Sequence, residues 1–225
     1  MQFNATKQRL QNKFGTQKFI VYFQSFTNTY APFSTLKALY EKALSFDNVI
    51  GLSIGTRTDC VTDEILDYLV DLSKDKEIWI EFGIQSFFDE TLININRGDT
   101  SSNMKYWINR SKEKGLNVCG HLIYGLPNET QEMMLETFRQ TVELKVDSIK
   151  FHPLYVVKNT LLTNEFKKGR FTPISEELYI DTVVKSIKIL PENISIQRIT
   201  AGINDSTLLS PDWCRDKHTQ MKNIR

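Results

Sequence analysis

The stretch I78-W-I-E-F-G-I-Q-S-F-F-D-E-T-L-I-N-I-N-R-G-D-T100 begins as an apolar strand and runs into the start of a helix, with Glu81, Gln85 and Arg97 standing where packing alone would not ask for them. A strand repeats every two residues, so Ile78, Ile80, Phe82 and Ile84 share one face and Glu81, Gly83 and Gln85 the other. The first face suits a layer of helices. The second is polar and needs a partner, because an unpaired buried carboxylate is costly.

Working outward, the same unit recurs. The runs 19–23, 49–54, 78–84, 117–125, 148–156 and 194–199 read as strands, and helical periodicity fills 34–45, 62–74, 101–115, 130–144 and 174–190 between them. About 30 residues per unit is the size of a βαβ module. Ser34, Thr62, Ser101 and Ser175 sit at N-cap positions, and Gly115 closes one helix. Phe3, Leu10 and Phe14, at helical spacing in an amino-terminal helix, read as packing residues.

Repeated βα units build either an open doubly wound sheet or a barrel, and both bind ligands at the carboxyl ends of the strands. Polar residues gather there: Gln24, Thr27 and Asn28; Thr56, Arg57 and Asp59; Gln85; His121 and Tyr124; Lys150 and His152; Gln197 and Arg198. Alternation puts Cys119 with His121, and Lys150 with His152, on inward faces. Several strands each offering a polar inner residue favour a barrel with an internal site. Glu81 serves equally well as a substrate contact or as the internal ion-pair partner of Lys150 or Arg198, and Gly125-Leu126-Pro127 as a ligand contact or as a plain strand-to-helix turn.

The composition narrows the classes. The chain has 225 residues, 40% hydrophobic, and reads as one domain over 1–225. A net charge of +1 gives no basic footprint for nucleic acid, and no apolar run approaches the length of a membrane span, so a cytoplasmic protein is expected. Cys60, Cys119 and Cys214 are odd in number and lack CxxC spacing, which suits reduced structural thiols and predicts no metal ligands.

The paired segments GIQSFFDETLININRGDT and HLIYGLPNET, with YFQSFTNTYAP and GLSIGTRTDC, resemble the radical S-adenosylmethionine (radical SAM) enzymes, in the group of YhcC-like proteins and the Elongator catalytic subunit. The resemblance covers almost the whole chain. It implies an α/β fold, a partial TIM-like (βα)6 barrel truncated at its first strand. It also implies oxidoreductase-type chemistry, in which a 4Fe-4S cluster reduces S-adenosylmethionine to a 5′-deoxyadenosyl radical that takes a hydrogen from an unidentified substrate. By position, Gln85 matches the glutamine that contacts S-adenosylmethionine, Arg97 the arginine on its carboxylate, and His121 an aspartate on its ribose. Thr27 and Asn28 stand in the loop that meets its amino group, Gly55 replaces an acidic ligand there, and Gly125 and Leu126 form the family's turn. Arg57, Asp59, Glu81, Lys150, His152 and Arg198 are the substrate-facing candidates. Neither Gln85 nor Arg97 is expected to be needed for packing.

The family's CxxxCxxC, whose three thiolates leave one iron open, is absent. Three expectations follow from the resemblance. The chain is the carboxyl-terminal portion of a longer enzyme, inactive alone; it binds no cluster itself; and residues 19–23 form an exposed sheet edge open to homodimerisation. The alternative is a non-catalytic nucleoside-binding module that has lost the cluster.

Overall fold

The inward polar residues of successive strands need a sheet that curls around them, and the chain builds one. A computed structural model describes residues 2–224. After helix α1 (Gln2–Phe14) come β1 (Phe19–Phe23), α2 (Phe33–Leu44), β2 (Val49–Thr56), α3 (Asp63–Ser73), β3 (Glu77–Gln85), α4 (Asp89–Asn94), α5 (Ser101–Glu113), β4 (Asn117–Tyr124) and α6 (Gln131–Glu143). The chain continues through β5 (Ser148–Pro153), β6 (Val156–Val157), α7 (Leu161–Lys167), α8 (Glu176–Lys188), β7 (Ser195–Arg198), β8 (Leu208–Ser210) and α9 (Lys217–Ile224). One sheet has the order β1-β2-β3-β4-β5-β7, every neighbouring pair parallel. Its outer strands β1 and β7 are not paired with each other, so the barrel is partial, as expected.

The apolar face of β3 lies in the core between sheet and helices. Ile78, Ile80, Phe82 and Ile84 are buried in one cluster with Leu66 and Leu69 of α3, Met104 and Ile108 of α5, and Met134 and Phe138 of α6. Full burial of a Leu, Ile, Phe or Met side chain is worth about 1.5–3 kcal/mol, which is why the helices stay on this face.

Several boundaries differ from the sequence reading for local reasons. Helix α2 starts at Phe33 behind Pro32, whose φ of −53° is already helical, so Ser34 lies inside the helix and caps nothing. Thr100, extended at φ −118°, caps α5 by accepting from Asn103 N, while Ser101 N donates instead to Asp89. Thr62 and Ser175 cap as expected. The strand expected over 148–156 ends at Pro153, and Val156–Val157 leave the main sheet to pair antiparallel with β8. At α1, Phe3 stacks on Phe46, but Phe14 is exposed rather than packed.

Gly125 shows why the turn after β4 has its sequence. Its φ is +91°, and a Cβ there would sit 2.7 Å from the side chain of Ile174. Gly125→Ala is therefore expected to lose at least about 2 kcal/mol of stability, from backbone strain plus the clash, and urea denaturation checks it.

Candidate functional site

Arg97 is aimed by the backbone around it. Asn96 and Gly98, at φ 55° and 68°, hold the left-handed conformation that Asn and Gly tolerate best, so the chain turns back on both sides of the arginine and directs it under β3. Its side chain is only 6% exposed, and Nη2 donates to the carbonyl of Gly83 at 2.6 Å. Nε is buried with no hydrogen-bond partner among the described residues. The expectation that Arg97 plays no part in packing is corrected here: it ties the loop after α4 to β3, and it does so with its buried Nε left unmet.

Gln85 ends β3 in a kink. The register with β4 slips between Gly83 and Gln85, Ser86 N turns back to Ile84 O, and Gln85 takes a φ of 69°. Such a value is unusual for a side chain of this size. The residue thereby stands on the ridge between two cavities. One, about 460 Å³, is polar and is lined by Arg97, Arg57, Glu81, His121, His152 and Arg198 among others. The second, about 600 Å³, is lined by Ile95, Ile123, Leu126, Leu154 and Phe171 on its apolar side.

Glu81 is the centre of the polar wall. It is 2% exposed, and its carboxylate accepts from Ser53 Oγ of β2, His121 Nε2 of β4 at 2.6 Å and Lys150 Nζ of β5. Parallel register makes this possible, because His121 lies beside Gly83 on one flank and Lys150 on the other. Burial alone would push the carboxyl up; the donors from His121, Lys150 and Ser53 outweigh it and hold the group at about 2. Since the ionised carboxylate only accepts, His121 must carry its proton on Nε2. Its pKa is lowered by burial, against the pull of Glu81, so the ring is neutral at pH 7. His152 is likewise brought down to about 4 by burial, and its Nδ1–H donates to Pro153 O at 2.7 Å. The Lys150 ammonium also lies over the ring of Tyr22, 4.4 Å from its centroid.

The other expected residues divide between wall and frame. Thr27, Gly55 and Arg57 line the polar cavity. Asn28 instead staples the loop, donating from Nδ2 to Phe23 O and Gly55 O. Asp59 grips Arg57 through two bonds of 2.8 and 2.6 Å, which neutralises that cation. Gly125 packs on Ile174, while Leu126 lines the second cavity. Ser53 and Tyr22 were missed by the sequence reading, although both were findable: alternation along VIGLSIGT and FIVYF places Ser53 with Gly51 and Gly55, and Tyr22 on the opposite face from Val21.

Metal chemistry is not supported by these side chains. Ligand atoms of Glu81, Cys119 and His121 lie within 4.8 Å of one another, but Lys150 already neutralises that carboxylate, and burial pushes the Cys119 thiol up to about 12. A 4Fe-4S cluster needs three thiolates at one place. Cys60 lies in the turn after β2, Cys119 inside β4 and Cys214 in a 3-10 turn after β8, so the residues present do not fit a cluster.

Known proteins share this architecture. The model of the Radical SAM superfamily matches residues 5–141, and that of the Radical_SAM C-terminal domain matches 146–225. Protein YhcC of Escherichia coli is 39% identical over 210 residues, covering 92% of this chain and 68% of its own length. YtqA of Bacillus subtilis is 35% identical over 216 residues, covering 96% and 67%. Among solved structures, the Elp3 of Methanocaldococcus infernus superposes with a TM-score of 0.79 at 21% identity, over 98% of this chain and 58% of that one. The chain thus spans about two thirds of the length of its curated relatives. No helix among the described residues is long and apolar enough to cross a membrane.

The pH dependence of stability follows from the buried groups. His121 and His152 stay neutral in the fold below their ordinary value of 6.5, so the unfolded chain binds more protons and stability falls as pH drops from 6.5 towards about 4. Glu81, ordinarily at 4.5, adds stability that is present above 4.5 and lost as pH falls towards about 2. Denaturant titrations across this range should show both stages, and the double variant Glu81→Gln/Lys150→Met should lose only the lower one. Lys150→Met alone, which removes the carboxylate's cation and leaves it only the neutral donors Ser53 and His121, is expected to cost about 3 kcal/mol at neutral pH.

Proposed function

The chain belongs to the radical SAM superfamily, and from that premise we propose that it forms the S-adenosylmethionine pocket of a radical enzyme that abstracts a hydrogen atom from its substrate. The observation that carries the reading is Arg97: a buried guanidinium with an unmet donor, at the wall of a polar cavity that meets an apolar one at Gln85. S-adenosylmethionine has a charged amino-acid end and a flat base, and the two cavities that adjoin at Gln85 offer a polar and a more apolar lining.

In this reading Arg97 receives the methionine carboxylate. A guanidinium fork binds a carboxylate through charge-assisted bonds, and the absence of a side chain at Gly83 leaves space beside Nη2. Gln85, neutral with both a donor and an acceptor, serves polar atoms near the junction without adding charge. His121 donates its Nε2–H to Glu81, so Nδ1 is left as an acceptor for a ribose hydroxyl. Thr27, beside Gly55, faces the amino group. A 4Fe-4S cluster, where one is present, would supply the electron for radical formation, and the three cysteines of these residues are not placed to hold it.

Self-association belongs to the same proposal. Strand β1 is a sheet edge whose Ile20 and Tyr22 are exposed, and such edges pair readily. Light scattering is expected to show a concentration-dependent dimer that Ile20→Lys abolishes.

Titration calorimetry with S-adenosylmethionine tests the pocket. Loss of a charge-assisted contact costs about 1.5–3 kcal/mol, so Arg97→Ala should weaken S-adenosylmethionine binding roughly 10- to 150-fold, and Gln85→Ala should cost about 1 kcal/mol. Because Arg97 also holds Gly83, Arg97→Lys serves as the variant that keeps the charge while losing the fork. Unchanged affinity in both Arg97→Lys and Gln85→Ala would exclude the assignment.

A further inference from the structure

Two guanidiniums face the polar cavity from opposite walls. Arg97 enters beneath β3, and Arg198 closes β7, three places along the sheet. Neighbouring strands are about 4.8 Å apart, so roughly 14 Å of sheet separates these two, with His121 on β4 and His152 on β5 between them.

The charges in this wall do not balance. Lys150 is paired with Glu81 and Arg57 with Asp59. Arg97 and Arg198 remain, and neither forms an ion pair with a carboxylate among the described residues. Arg198 donates Nε to Phe151 O at 3.2 Å. A guanidinium carries five N–H donors, and the other four of Arg198 have no protein acceptor among the described residues. A half-buried cation held in place by one backbone bond, with its fork open to a cavity, has the form of a receptor for an oxyanion. The adjacent His152 is neutral rather than a second cation, and its Nδ1–H is taken by Pro153 O.

We propose that the substrate of this site carries a localised oxyanion, a carboxylate or a phosphate, and that Arg198 binds it at the end of the cavity opposite Arg97. The proposal rests on the reading of Arg97 as the partner of the methionine carboxylate, which leaves Arg198 for the second reactant. A polyanionic backbone is disfavoured as the source, since 28 basic and 27 acidic residues provide no basic track leading to the cavity.

The chain has three histidines, of which His121 and His152 line the cavity and His218 lies in α9, so imidazole nitrogen resonances report on the site with an internal control. Inorganic phosphate and succinate are titrated separately into the protein at fixed pH. A saturable shift of His152, with His218 silent, is expected in the wild type and in Arg97→Lys. Arg198→Gln should weaken that response at least about 10-fold, and Arg198→Lys, which keeps the charge but not the fork, should fall between. A response to phosphate alone assigns a phosphoryl substrate, a response to succinate alone a carboxylate, and both an oxyanion in general. The proposal is overturned if neither anion shifts His152, or if Arg198→Gln and Arg198→Lys both respond as the wild type does. A His152 shift that vanishes in Arg97→Lys and survives in Arg198→Gln also overturns it, since the only anion site is then Arg97. S-adenosylmethionine calorimetry on the same samples reads Arg97 separately, so the two assignments fail independently.

Discussion

A carboxylate in the middle of a barrel must be answered from several directions at once, and Glu81 sets that condition for the inner face. Its three donors come from β2, β4 and β5, the neighbours of its own strand and the next one over. A shift of one residue in any of these registers would turn the donor into the helix layer and leave a buried charge uncompensated. The cluster therefore acts as a registration device for the sheet as well as a lining for the cavity. It also sets the state of His121, whose proton is committed to Glu81.

This arrangement explains how an inner wall so rich in ionisable groups can present two unclaimed cations. Internal pairing uses up Glu81, Lys150, Arg57 and Asp59. What is left over is polarity facing the cavity: the two remaining guanidiniums and two neutral imidazoles.

Much of this was legible in the order of residues. Alternation along β3 separated the core face from the polar face correctly, and the pairing of Glu81 with Lys150 was one of two partners open to it. Element boundaries were harder, because Pro32 and Thr100 act through backbone angles that compete with the neighbouring serines for the cap. The small pair β6–β8 was invisible, since two- and three-residue strands carry no periodicity. Arg97 was read as a free ligand group because nothing in N-R-G announces that Gly83 O will be its neighbour; that contact exists only once the loop has closed under β3. Asn28 and Gly125 were read as ligand contacts, and the bonds of Asn28 to Phe23 O and Gly55 O and the closeness of Gly125 to Ile174 are framework contacts that local sequence does not announce.

The missing side chain at Gly83 separates two properties that are usually entangled. A Cβ placed there would meet Arg97 Nη2 at 3.6 Å and Thr56 O at 3.8 Å, ordinary contacts that the fold accommodates, yet it would project into the space beside the guanidinium. Gly51, by contrast, has the carbonyl of Glu77 only 2.0 Å from the same point and admits nothing larger. Along this inner surface one glycine is thus an obligation of the backbone and the other leaves open space that the backbone does not require. Evolution or design could narrow the chamber by a methyl group at the second without disturbing how the chain folds.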